Sequence, residues 1–326
     1  MKYTVTVLSR GTRRLRFWAG VLAAGVVALG GVLAMIWVPD VPVSALTERW
    51  APPPSQFVTL RGMRVHLRDE GPRDDPAPIV LIHGTSASLH TWQGWVRVLR
   101  QRRRVISFDL PGFGLTGPAP DEDYTIEAYV AFMRALLDHL GIERCVLGGN
   151  SLGGDIAWET AYALPKRIER LILVDSGGYP FQSTSVPLGF RLARFPFLSR
   201  LTRSMLPRRL VEEGLRNVYG DPAKVTPDLV DLYVDMTRRE GNRAALVRRF
   251  AQHDLGDHAG RIATLKLPTL ILWGGRDRLV PPEYGRRFQR DIAGSRLVVF
   301  DELGHVPQEE DPARTVAAVE EFLAAP

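Results

Sequence analysis

The sequence predicts an α/β domain: a mostly parallel sheet flanked by helices, interrupted by a helical cap and preceded by one apolar helix. Three observations carry this prediction. Continuous apolar runs such as Ile79-Val80-Leu81-Ile82 and Leu171-Ile172-Leu173-Val174 recur between amphipathic segments, as strands buried on both faces of a parallel sheet alternate with crossover helices. That alternation stops between residues 179 and 257, where only amphipathic helical pieces are read. An uncharged stretch at 17–38 precedes all of it.

That stretch is bracketed by Trp18 and Trp37 and would span ~33 Å as a helix, enough for a bilayer core. Lys2, Arg10, Arg13, Arg14 and Arg16 lie on its amino-terminal side and the first acid, Asp40, on the other. The basic tail, 1–16, is therefore expected in the cytoplasm and the rest of the chain exported, to a periplasmic or extracellular side. A signal peptide cut after Val43-Ser44-Ala45 is the rival reading. Its apolar region would normally be ~7–15 residues, so an uncleaved anchor is expected. Residues 39–56, with Pro39, Pro42, Pro52, Pro53 and Pro54, read as a stiff linker.

Those five cations supply most of the formal charge of +6, leaving about +1 for the other 310 residues. A nucleic-acid partner is not expected. The single cysteine, Cys145, excludes an internal disulfide framework. His66, His83, His90, His139, His253, His258 and His305 show no ligand spacing, so neither a metal nor a cofactor is expected.

The core divides into 57–178 and 258–326 around a cap at 179–257. Residues 63–70 alternate apolar and polar, as an antiparallel edge strand does. A buried strand at 78–82 ends in His83-Gly84, and another ends in Asp109-Leu110-Pro111-Gly112-Phe113-Gly114, where Asp109 is read as fixing a rigid turn. A helix at 125–141 ends in glycine. Strands follow at 144–147 and 170–175, cap helices at 188–203, 206–218 and 229–238, then strands at 269–274 and 296–300. Asp311 and Pro312 open the last helix.

The chemistry centres on Gly149-Asn150-Ser151-Leu152-Gly153, lying between a strand and a helix. Such a turn is too tight for side chains at the two glycines. It lifts the serine hydroxyl clear of the sheet and sets the Leu152 N–H at a helix N-terminus, suited to an oxyanion. A serine needs a base to take its proton, and the base needs a third group to set its tautomer. His305 and Asp277 each follow a buried strand, so both belong to the same sheet edge as Ser151. Asp175 ends another strand and is a second candidate acid.

Through His83-Gly84, the Asp109 turn, Gly149-Asn150-Ser151-Leu152-Gly153-Gly154, Gly275-Arg276-Asp277 and Gly304-His305, the chain from about Phe57 onward resembles the α/β-hydrolase superfamily. The resemblance implies Ser151 as nucleophile, Asp277 as orienting acid and His305 as general base. It also implies an oxyanion hole from the backbone N–H groups of Thr85 and Leu152, with His83 structural. Serine rather than aspartate at the turn argues against alkyl-enzyme chemistry. Asn150 is similar to carbon–carbon bond hydrolases of ring-fission products, in which an arginine and a tryptophan grip a dienoate; Arg191 and Trp273 are the candidates. An anchor helix before a capped domain is more similar to membrane-anchored monoacylglycerol lipases and esterases. Phe181, Phe190, Phe195 and Phe197, interleaved with Arg191, Arg194, Arg200 and Arg203, are read either as an apolar acyl pocket with arginines near lipid head groups or as cap packing with a solvated face. The expectation is therefore hydrolysis of small-molecule or lipid esters beside a bilayer. Carbon–carbon hydrolysis and acyl transfer are the alternatives, and a non-enzymatic tethered binding protein is the different class.

Overall fold

The computed structural model describes residues 10–194, 207–252 and 258–325, with the side chains at 10–13, 16, 29 and 32–36 outside that description. Eight strands form one sheet in the order β1-β2-β4-β3-β5-β6-β7-β8. They are β1 (Gln56–Leu60), β2 (Met63–Glu70), β3 (Ile79–Ile82), β4 (Val105–Phe108), β5 (Cys145–Asn150), β6 (Ile168–Val174), β7 (Thr269–Gly274) and β8 (Arg296–Phe300). β1 and β2 run antiparallel and β2 pairs antiparallel with β4; every other pairing is parallel. The edge strand is β1, which starts where the Pro-rich stretch ends, so residues 63–70 lie one place inward from the edge expected for them.

Successive residues of the inner strands feed opposite faces, as the pleat requires. Ile79 and Leu81 join one apolar layer with Trp95, Val316 and Phe322, while Val80 and Ile82 join the other with Phe132, Trp158 and Phe288. The first layer is closed by α3 (Gln93–Leu99) and α12 (Pro312–Ala324). The second is closed by α4 (Ile126–His139), α5 (Leu152–Ala163) and α10 (Glu283–Asp291). Thr125 caps α4 by accepting the Ala128 N–H, and Asp311 caps α12 by accepting the Arg314 N–H. Cys145 packs in the second layer, where burial pushes its thiol up to about 12.

Between β6 and β7 stand α6 (Leu188–Ala193), α7 (Arg208–Val218), α8 (Pro227–Arg238) and α9 (Asn242–Gln252). Their own apolar cluster, Leu215, Tyr219, Val225 and Val230, closes on Val306 of the core. Residues 195–206 and 253–257 of the expected cap, including Phe195, Phe197, Arg200, Arg203 and His253, lie outside the described residues.

The amino-terminal region differs from its reading. The stretch 39–56 does not stand off as a spacer. It carries α2 (Val43–Trp50), which lies on the cap with Leu46 packed beside Leu232 and Met236. The Val41 N–H donates to Arg238 O and the Glu240 N–H to Val41 O. Asp40 pairs with Arg243 at 2.5 Å, and Trp50 Nε1 donates to Asp235 at 2.9 Å. Proline spacing hides this because α2 sits between the two proline groups. Ahead of it, α1 (Arg10–Ile36) is a single helix of 27 residues. Among the described residues no helix is long and apolar enough to cross a membrane. The described large side chains of α1, among them Phe17, Trp18, Leu22 and Val27, are exposed.

Candidate active site

Ser151 sits between β5 and α5 with φ 56° and ψ −116°, a backbone conformation that L residues avoid. The glycines around it are obligatory. A Cβ on Gly149 would stand 2.0 Å from Gly153 O, and one on Gly153 would stand 2.1 Å from Ile82 O. Removing both side chains lets α5 pack against the end of β3 with Ser151 at the apex. The turn is pinned by the Ser151 N–H donating to Val174 O and the Gly177 N–H donating to Ser151 O, each at 3.0 Å.

Around the apex, Thr85, Leu152 and His305 line the same cavity as Ser151. Among the described residues the backbone N–H groups of Thr85 and Leu152 enter no hydrogen bond, so both remain free for a ligand oxygen. The Leu152 N–H also opens a helix, where partial positive charge accumulates.

His305 Nδ1 lies 2.7 Å from Asp277 Oδ2. Asp277 Oδ1 accepts the Leu279 and Val280 N–H groups at 2.8 and 3.0 Å. Each carboxylate oxygen thus has its partner, and the imidazole is held with Nδ1 as donor and Nε2 as the basic nitrogen. The loop bearing His305 is fastened from three sides. Its N–H donates to Val218 O of α7 at 2.7 Å, its carbonyl accepts from Asn150 Nδ2 at 3.0 Å, and the Gly304 N–H reaches Glu310 Oε2 at 2.8 Å. Glu310, on α11 (Pro307–Glu310), also accepts the Gly220 and Asp221 N–H groups, tying core to cap. The Ser151 hydroxyl makes no hydrogen bond among the described residues. Such contacts are often loose without substrate and tighten when it binds.

Asp175, Asp277 and His305 each bring one ligand atom within 4.8 Å of the others. The 2.7 Å between His305 and Asp277 is a hydrogen-bond length, shorter than the ~3.3 Å between two ligands of one tetrahedral zinc. The trio fits an acid–imidazole network better than a metal centre.

The two groups read as structural behave so. His83 is buried, with Nδ1 bonded to Gly84 O and Nε2 accepting the Leu110 N–H; burial lowers its pKa and keeps the ring neutral. Asp109 accepts the Leu89 and Leu115 N–H groups, both at 2.7 Å, and His66 Nδ1 at 2.8 Å. Burial alone would raise its pKa, but the facing imidazoles, His66 first, outweigh burial and hold it well below the usual carboxylate range.

The cavity measures about 560 Å³ and its wall is mainly apolar, with Phe181 and Phe190 joined by Leu210, Val211, Leu246 and Phe250. Two expected members are absent from that wall. Trp273 is fully buried on β7, donating Nε1 to Val280 O and packing on Phe288, because its place in the strand turns it into the helical layer. Arg191 projects from α6 away from the cavity that Phe190 and Arg194 face. Neither is placed to grip a dienoate.

Arg249 was not foreseen. It is buried, lines the cavity, and among the described residues its Nε has no hydrogen-bond partner. A helical phase in Ala245-Leu246-Arg249-Phe250 puts it on the inward face of α9, a signal the sequence carried. Arg243 also lines the cavity but is held by Asp40 and by Val38 O.

A family model described as alpha/beta hydrolase fold matches residues 77–312. An uncharacterized protein of Mycobacterium tuberculosis is 33% identical over 285 residues, covering 84% of this chain and 82% of its own length. The 2-hydroxy-6-oxo-2,4-heptadienoate hydrolase of Pseudomonas putida is 30% identical over 277 residues, covering 83% and 96%. A thermophilic esterase from Thermogutta terrifontis superposes with a TM-score of 0.70 at 27% identity, covering 82% of this chain and 98% of its own.

Proposed function

Because this chain belongs to the α/β-hydrolase family, we propose that it is a serine hydrolase that cleaves carboxylic esters with apolar acyl groups. Ser151 attacks the carbonyl as His305 Nε2 takes its proton, and Asp277 steadies the imidazolium that forms. The Thr85 and Leu152 N–H groups hold the oxyanion, each such donor accounting for ~10²–10³ in rate. The alcohol leaves with the proton from His305, and water then releases the acid from Ser151 by the same steps in reverse. The observation that carries the ester reading is the cavity: about 560 Å³ of mainly apolar wall meeting Ser151 directly.

A second reading is carbon–carbon bond hydrolysis of ring-fission products. The relatives with a named reaction back it more directly than they back esters, and the buried Arg249, whose Nε has no hydrogen-bond partner among the described residues, would suit an anionic substrate. Against it stands the placement of Trp273 and Arg191 away from the cavity. Acyl transfer to an alcohol uses the same acyl-enzyme and is read from products formed with added acceptor.

We also take α1 as a membrane anchor, basic end in the cytoplasm and catalytic domain exported. Its support is the uncharged run 17–38 and a row of large exposed apolar side chains. The test is fluorophosphonate labelling with peptide mapping, joined to a panel of p-nitrophenyl esters, monoacylglycerols and a ring-fission dienoate. Labelling should fall on Ser151 and vanish in Ser151→Ala, and turnover should rise with acyl length. Cleavage of the dienoate with no ester turnover would reverse the order of the two readings.

A further inference from the structure

Asp175 follows β6 and is fully buried, with φ 44°, a left-handed conformation. Its Oδ1 accepts the Gly274 N–H of β7 at 2.9 Å. Its Oδ2 is buried and finds no donor. The titratable groups facing it are Asp277 from the turn after β7, His305 from the loop after β8, and Glu310 from α11. Two buried carboxyl groups this close cannot both carry charge cheaply; one keeps its proton.

We propose that Asp175 is a positioning residue of the triad, held as a neutral acid whose O–H donates to the Asp277 carboxylate. The orphaned Oδ2 is then a donor with a partner, not an acceptor without one. Asp277 is the group that stays ionised, because two backbone N–H groups and His305 Nδ1 already stabilise its charge. Burial first, then the charge of Asp277, pushes the Asp175 pKa well above the ordinary carboxylate value. The donated hydrogen bond draws charge from Asp277 and so moderates how tightly His305 holds a proton. The proposal rests on reading Ser151, His305 and Asp277 as a triad.

Two variants and two readouts test it. Asparagine is a neutral donor of the same shape and tolerates positive φ, so Asp175→Asn should keep the fluorophosphonate labelling rate of Ser151 and leave its acid limb in place. Asp175→Ala removes the donor; its acid limb should move to higher pH and labelling near that limb should slow roughly tenfold. A downward shift of the acid limb by about one unit in Asp175→Asn, as loss of a neighbouring negative charge would give, overturns the proposal. So does an unmoved limb in Asp175→Ala.

Infrared difference spectra give the second readout, independent of activity. The full-length protein at neutral pH should show the carbonyl band of a protonated carboxyl that is lost in Asp175→Asn; its absence from the wild type overturns the proposal even if the alanine variant does not fold. A native pKa raised above the unfolded value also means stability falls as pH rises from ~4 toward that pKa. Asp175→Asn should therefore gain stability relative to wild type over that span. Labelling that persists in Ser151→Ala would refute the triad while leaving the infrared result standing.

Discussion

The two oxygens of Asp277 meet the Leu279 and Val280 N–H groups on one side and His305 Nδ1 on the other, and this division predicts how it fails. An asparagine there can still accept the Leu279 and Val280 N–H groups through Oδ1, so the turn after β7 should survive. Its amide would face His305 Nδ1 with a donor, forcing the other tautomer and leaving no basic nitrogen toward Ser151. Asp277→Asn should lower kcat by ~10³–10⁴ with little change in thermal midpoint; steady-state kinetics beside a melting curve separates this from general damage. The residues of this site were legible because each stands at a punctuated strand end: Gly-x-Ser-x-Gly, Gly-Arg-Asp and Gly-His. Trp273 and Arg191 were misread as binding groups because residue type says nothing of direction. Leu270 and Leu272 point into one layer and Ile271 and Trp273 into the other, so the register of β7 alone decides that Trp273 is core. Arg249 went unread because no helix is read over 242–252 from the sequence, so the inward phase of that segment had no element to belong to.

At the level of elements, the loop after β4 shows how much of the site rests on groups that do no chemistry. Asp109 joins three segments: the helical turn at Leu89, the loop at Leu115 and His66 on β2. Its replacement by alanine leaves two buried N–H groups and an imidazole without their acceptor, a loss of about 3–5 kcal/mol. Because the folded pKa lies below the unfolded value of ~3.9, this stabilisation is complete above that pH and is lost as pH falls toward the folded pKa. Urea midpoints should therefore show a wide, constant gap between wild type and Asp109→Ala near neutrality that narrows below pH ~4. A gap that stayed constant into acid would mean the carboxylate charge is not what the loop uses. The parallel strands and α4, α5 and α12 were readable from apolar runs and caps. β1 and α2 were not, because prolines that mark a linker in isolation here bound short elements whose stability comes from packing on other parts of the chain.

The whole molecule joins an exposed apolar helix to a cap through the segment 38–50, and the two ends of that segment predict different things. Deleting residues 1–36 removes α1, whose described large side chains are exposed. The shortened protein should leave the membrane fraction without detergent, keep its thermal midpoint within about 2 °C and label at Ser151 as before. Deleting residues 1–50 takes away α2 as well. Leu46 then uncovers Leu232 and Met236, Arg243 loses Asp40, and His90 Nε2 loses its bond to Trp50 O. Burial of one leucine contributes about 1.5–3 kcal/mol, and each kcal/mol shifts a midpoint by ~2–4 °C in a domain this large. A fall of several degrees is expected, with faster proteolysis of α8 and α9, whose inner faces carry Met236 and Arg243. Ultracentrifugation of membranes and melting of both truncations measure the two effects separately. A full-length chain found in the supernatant without detergent sinks the anchor reading, and equal midpoints for the two truncations would show that α2 rests on the cap without holding it.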